Sequence, residues 1–263
     1  MSGLSPAPAR LRGPLEFARQ FGIIIAAYFL WRLGRGAVDG STAASVAHAH
    51  ELVSAERFLH SFVELDLQQW AVSSGWVSDI TGFLYAHMHF WGSIAALLYL
   101  WFAHNSSFRF VRNAMLVAMA VSLLGYLFYP TAPPRFVDGL GFSNAQEVTG
   151  NEAIRSSGRL FFNPYAAVPS MHVALAAIFG YALARLSRPP ALKLTFACYP
   201  LLMTFVVIAT GNHFWLDAAF GAVTASLALG AATLLARRHP STWSLQAEAP
   251  HVGAQPAAEA APA

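Results

Sequence analysis

The chain has 263 residues, 56% of them hydrophobic and only 11% charged, against about 25% charged in a typical soluble domain. So few charges cannot cover a water-facing surface, which excludes an ordinary soluble enzyme and makes lipid the solvent for much of the chain. The net charge is +3, and the positive residues form juxtamembrane pairs and triplets with no continuous stripe, which excludes a nucleic-acid partner.

Residues 1–14 contain proline and arginine and read as a flexible N-terminal segment. A membrane catalytic domain follows over 15–239. Its first apolar run, Phe17–Leu33, is flanked by Arg19 and Arg32. No small-residue cleavage site follows it, and Trp31-Arg32 looks like an interfacial flank, so it stays as a helix. Next comes an amphipathic helix over about 41–70. Ser41 or Thr42 can cap it, and Val46, Leu52, Val53, Phe58, Leu59, Phe62 and Leu65 recur at helical spacing. Glu51, Glu56, Arg57, Glu64 and Asp66 are interleaved with them. This pattern predicts a helix lying along the outer membrane surface, bent near His60; a soluble linker helix is the alternative.

The apolar runs Gly82–Ala103 and Val111–Tyr129 come next. Pro133-Pro134 stops the latter, since proline lacks the backbone donor and clashes with helical geometry. The long segment to Ser170 shows no periodicity, and loops of that length often belong to sites. Three more runs follow, Met171–Leu186, Leu192–Ala209 and Phe214–Ala236. Each is close to the length a bilayer requires. The expected fold class is therefore an all-α integral membrane protein, a six-transmembrane-helix bundle with an amphipathic interfacial helix after the first span. Residues 240–263 form a disordered Ala/Pro-rich tail. The one cysteine, Cys198, lies inside an apolar run, so no intrachain disulfide is available.

Charge orients the bundle. With the N-terminus inside, ten of the 16 basic residues fall in inside segments with only Glu16, Glu248 and Glu259, while the outside segments hold six arginines and ten acids. Basic excess in short loops marks the cytoplasmic side. Both termini are then cytoplasmic, and the 130–170 loop is extracytoplasmic in a plasma (inner) membrane.

That topology sends three separate stretches to one outer face: PTAPPR, PSMH and GNHFWLD. His213 and Asp217 are four apart, on one face of a helix. A carboxylate accepting from one imidazole nitrogen fixes the tautomer and leaves the other as nucleophile or base; a packing pair is the bland alternative. In PSMH, Ser170 can cap the helix and His172 falls in its first turn, where free amides favour an anion. His172 could protonate a leaving oxygen. Arg135 offers a planar fork for phosphoryl oxygens, or else anchors the chain at the interface. The H-x-H pairs, His48 with His50 and His87 with His89, point to different sides of a helix and make poor chelates. A buried, hydrogen-bonded role is the reading for His87 or His89. No metal and no cofactor are expected.

PSMH and H-x-x-x-D, with an arginine in a preceding proline-rich segment, resemble the type 2 phosphatidic acid phosphatase superfamily over roughly residues 70–236. The resemblance implies a six-helix membrane core and metal-free lipid phosphoester chemistry. It implies that His213 attacks phosphorus to give a phosphohistidine, that Asp217 orients it and that His172 protonates the departing group. Departures from the family motifs are specific. Phe128 and Phe136 stand at the lysine and proline positions around Arg135. Met171 replaces a glycine, and Val206-Val207 occupy a Ser-Arg position. This pattern is similar to the inositol phosphorylceramide synthase side of the superfamily. Candidates to complete the phosphate cradle with Arg135 and Ser170 are Arg155, Arg159, Asn163, Tyr165 and Asn212.

The expected function is head-group transfer from a membrane lipid phosphoester to an alcohol acceptor, such as inositol or a lipid hydroxyl. A phosphatase acting on a lipid phosphomonoester or pyrophosphate is the alternative. A non-catalytic transporter using its intramembrane histidines as a relay and a structural membrane subunit are the further readings.

Overall fold

The structure, a computed structural model, describes residues 13–37, 41–143 and 165–238. Apart from residues 13 and 14, the predicted N-terminal segment and the C-terminal tail lie outside the described residues, as do Arg155, Arg159 and Asn163. Among the described residues the α-helices are α1 (Pro14–Ala37), α2 (Thr42–Phe58), α3 (Glu64–Ser73), α4 (Trp76–Phe83), α5 (His89–Ala103), α6 (Asn105–Phe128), α7 (Met171–Leu186), α8 (Pro190–Ala209) and α9 (Trp215–Arg238). A π turn, Leu84–Met88, joins α4 to α5 without a break, giving a rod about 40 Å long at 1.5 Å per residue.

The bundle is centred on α7. Its neighbours α8 and α9 pack along it, α6 closes against both α7 and α9, and α1 lies on α6. Sequence explains the close approach. On α9, Ala218, Gly221, Ala225, Ala228 and Ala232 are all buried, and their alternating three-and-four spacing makes one narrow stripe of small residues. Such stripes let helix backbones meet where lipid leaves no hydrophobic drive for association. Trp101, Phe108 and Tyr126 fill the larger gaps between helices.

Several of these helices are strongly apolar, which makes this a membrane protein. Taken singly, α6, α8 and α9 are long and apolar enough to cross a bilayer, and the bent pair α1 with α2 meets the same measure as a fourth. The α7 helix is apolar but has 16 residues. Large apolar side chains stand outward, among them Phe102, Phe128, Leu201 and Leu234, as lipid solvation requires.

The predicted helix over 41–70 is two helices. Ser41 does cap α2, accepting a 3.1 Å bond from Ala44 N–H. The break falls at residues 59–63, with His60 at φ 53°. One part of the amphipathic pattern is corrected. Glu56 and Glu64 do not face water: both are fully buried, while Phe58 and Leu59 are exposed. The reason is tertiary, and it lies at the start of α9.

Candidate active site

The turn before α9 is built from TGN. Gly211 sits at φ +65°, a conformation that favours glycine. A Cβ there would also meet Gln68 Nε2 at 2.5 Å. Thr210 Oγ1 donates to Val206 O at 2.8 Å, and Asn212 Nδ2 donates to Thr210 Oγ1 at 2.7 Å. Asn212, proposed from sequence as a phosphate ligand, thus has its amide braced inside the turn. The turn delivers His213 to a position just ahead of the helix, not onto it.

His213 and Asp217 meet nonetheless, through a cap. Phe214 O accepts the first helical bond, from Ala218 N–H. Asp217, in the first turn, reaches back so that Oδ2 accepts from Phe214 N–H at 2.9 Å and lies 3.2 Å from His213 Nδ1. This is the acidic half of a capping box put to a second use. With a carboxylate as acceptor, Nδ1 holds the proton, and Nε2 keeps its lone pair. Asp217 is fully buried and His213 is 6% exposed.

Two further carboxyls complete the helix start. Glu64 Oε1 accepts from Trp215 N–H at 2.8 Å, and Glu56 Oε1 accepts from Leu216 N–H at 3.0 Å. Three successive orphan donors of α9 are therefore satisfied by three acids, from α9, α3 and α2. Burial pushes the Glu56 carboxyl from the ordinary 4.5 up to about 9; the Leu216 N–H opposes this, and neighbouring Glu64 and Asp217 reinforce it. Glu56 is thus held as the neutral acid at neutral pH, beside Glu64.

The α7 start lies against this cap. Ser170 N–H donates to Asp217 O at 3.0 Å, and Gly221 allows the approach, because a Cβ there would sit 2.5 Å from Ser170 O. The predicted Ser170 side-chain cap does not form. Ser170 Oγ is buried, with no hydrogen-bond partner among the described residues, because the backbone docking onto α9 turns it away from the first-turn amides. His172, one turn along, is half-buried. Its ring centroid lies 6.1 Å from that of His213, the two ring planes inclined at 62°.

His172 is itself packed between two rings of the π turn region, Tyr85 at 4.5 Å and His89 at 4.3 Å between centroids. A π turn adds one residue per turn and re-aims the side chains beside it, and such turns recur at functional sites. His87, by contrast, is exposed and its Nδ1 lies 3.2 Å from Phe83 O. His48 Nδ1 lies 2.7 Å from Pro130 O. Among the described residues no three His, Cys, Asp or Glu side chains are grouped to hold a metal ion.

Arg135 reaches the same end of the bundle. Its N–H donates to Gly211 O at 3.2 Å, two residues before His213, and its guanidinium lies 4.5 Å over the Phe136 ring. The 130–137 segment is pinned by Thr131 N–H to Tyr165 O at 2.8 Å and by Ala132 N–H to Ser45 O at 3.0 Å. Tyr165 is tied outward, its hydroxyl 2.9 Å from Thr42 Oγ1. The departures also find places: Phe128 is 75% exposed, whereas Val206 and Val207 are in the core. A cation at Phe128 would face out of the bundle, and at the two valines it would be buried.

Sequence reading missed the places that Glu56, Glu64, Tyr85, His89 and Gln68 take around the site. All five act on residues more than 70 positions away, and the Tyr85–His89 spacing of four, which puts both on one helix face, is the one local signal.

A family model described as the PAP2 superfamily matches residues 50–231. No curated protein and no solved structure matches the chain. The matched stretch exceeds half the chain and runs from the α2 segment holding Glu56 through the His172 and His213 helix starts. The chain belongs to the PAP2 superfamily.

Proposed function

We propose that the protein is a metal-independent lipid phosphoester phosphotransferase that exchanges head groups through a phosphohistidine on His213. The PAP2 superfamily is generally enzymatic, with phosphatase or phosphotransferase activity, and a membrane-embedded member acts on lipids of its bilayer. One observation carries the finer reading: a buried His213–Asp217 pair, Nδ1 to Oδ2 3.2 Å, with the ring of a second histidine, His172, centred 6.1 Å from that of His213.

In the first step His213 Nε2 attacks phosphorus as the bond to the leaving alcohol breaks. That oxygen takes a proton from His172, which must enter the step protonated. The positive charge that develops on the phosphorylated imidazole is balanced by Asp217 through Nδ1–H. In the second step the acceptor alcohol gives its proton to His172, its oxygen attacks phosphorus, and the P–N bond breaks. Arg135 clamps the equatorial oxygens. The first-turn amides of α7 face the same charge, with Ser170 beside them and Asn163, Tyr165 and Asn212 as further candidates.

Electrostatics favour transfer over monoester hydrolysis. The motif cations are missing at Phe128, Val206 and Val207, and the α9 amides are already occupied by three carboxyls. A phosphodiester carries less charge than a phosphomonoester and needs less neutralisation. The site would face the extracytoplasmic side of a six-span plasma-membrane bundle, with α2 and α3 at the interface.

A head-group exchange screen with labelled phospholipids and added alcohols tests this, with His213→Ala as the blank. Transfer that depends on the alcohol and survives EDTA is the expected result. Release of free phosphate from a lipid monophosphate, with no alcohol dependence, would establish the phosphatase instead.

A further inference from the structure

A second binding surface lies at the other end of α7. Between α7 and α8 runs a groove of about 470 Å³. Its walls are Ala177, Tyr181 and Arg185, four apart on α7, and Lys193, Ala197 and Pro200 on α8. Each set is one face of its helix. The alanines leave the floor low, while Tyr181 and Pro200 stand as sides. Arg185 lies thirteen residues beyond His172, or about 20 Å along the helix, so the groove is separate from the catalytic end.

The groove is graded in polarity. At the inter-helix turn it carries Arg185 and Lys193, with Arg188 nearby, and all three are exposed. No acidic residue occurs between Glu152 and Asp217, so this hairpin has no acid of its own to balance those cations. From Arg185 back to Ala177 the lining turns apolar over about 12 Å. A cationic mouth at a helix-end level, opening into an apolar slot between two membrane helices, matches a phospholipid: phosphate at the mouth and an acyl chain along the slot.

We propose that this groove holds one anionic phospholipid of the leaflet bordering the α7–α8 turn, with its phosphate between Arg185 and Lys193 and one acyl chain along Ala177, Ala197 and Pro200. The bound lipid braces α7, the helix that presents His172, against α8. The proposal does not depend on the phosphotransferase reading.

The test uses the purified full-length protein and native mass spectrometry of lipid retained from mixed phosphatidylcholine and phosphatidylglycerol vesicles. Phosphatidylglycerol should be retained about 25-fold over phosphatidylcholine. The Arg185→Gln/Lys193→Gln protein should lose that preference, each removed charge costing about fivefold. Ala197→Phe, which keeps the charges and fills the exposed slot, should lower retention at least about fivefold by blocking the chain. His213→Ala should retain phosphatidylglycerol as the unmodified protein does. Equal retention of both lipids overturns the proposal. So does unchanged retention in Ala197→Phe, which would mean surface attraction alone. Displacement by inorganic phosphate or glycerol phosphate would show a free-anion site instead, and loss of the lipid in His213→Ala would place it in the catalytic end.

Discussion

Asp217 Oδ2 serves two partners, the Phe214 N–H and the His213 ring, so one carboxylate both starts a helix and sets a tautomer. The two jobs separate under substitution. Asp217→Asn can keep an oxygen at the Oδ2 position for both donors and remove only the charge. In the proposed mechanism this leaves the phosphorylated imidazole uncompensated. Transfer should fall about 10⁴-fold, the cost of the matching Asp→Asn change behind a metal-free catalytic histidine, while the fold survives. His213→Ala should abolish transfer, and the double variant should be no worse than His213→Ala alone, because the pair acts as a unit. Initial-rate assays of the three proteins check this. Losses that multiply would assign Asp217 a role independent of His213.

At the scale of elements, the start of α9 is held by acids borrowed from α2 and α3. A helix N-terminus stabilises negative charge, but three buried carboxyls on successive amides exceed what it can take, so one keeps its proton. Glu56 is that one, pushed up to about 9. Because its folded value lies above the unfolded 4.5, the folded protein holds this proton while the unfolded chain releases it. The associated stability is fully present below about pH 4.5 and is lost as the pH rises to about 9. The melting temperature in detergent should therefore fall across this window, by roughly 5–10 °C for a chain of this size. Glu56→Gln mimics the neutral acid: it keeps the acceptor for Leu216 N–H and offers an N–H to Glu64. It should flatten the profile, so that the variant is the more stable protein at pH 9. An unchanged slope in Glu56→Gln would move the proton to another group.

For the whole molecule, what was legible in the sequence was local. The start and end of α7 were read to the residue, and the proline stop after α6 and the break near His60 were visible, because turn and cap chemistry acts over a few positions. The H-x-x-x-D spacing pointed to the right pair for an incomplete reason: the two residues meet through a cap ahead of the helix. Glu56, Glu64 and His89 were illegible because their partners, Leu216, Trp215 and His172, lie more than 80 positions away. A polar residue within an amphipathic pattern gives no sign of whether it faces water or a buried amide. Topology lies between these cases. The apolar runs of the sequence predict six spans and charge orients them, whereas the length and apolarity of the helices single out α6, α8, α9 and the α1–α2 pair. Parity decides. Six spans put α1's beginning and α9's end on one side; any odd number puts them on opposite sides. In a Cys198→Ala background, which removes the only cysteine, Leu15→Cys, Arg188→Cys and Arg238→Cys should react with an impermeant maleimide only after permeabilisation. Asp138→Cys, exposed on the 137–143 segment, should react in intact cells. Labelling of Leu15→Cys and Arg238→Cys from opposite sides would remove one span from the bundle, and labelling of Asp138→Cys only after permeabilisation would turn the His213 site to the cytoplasm.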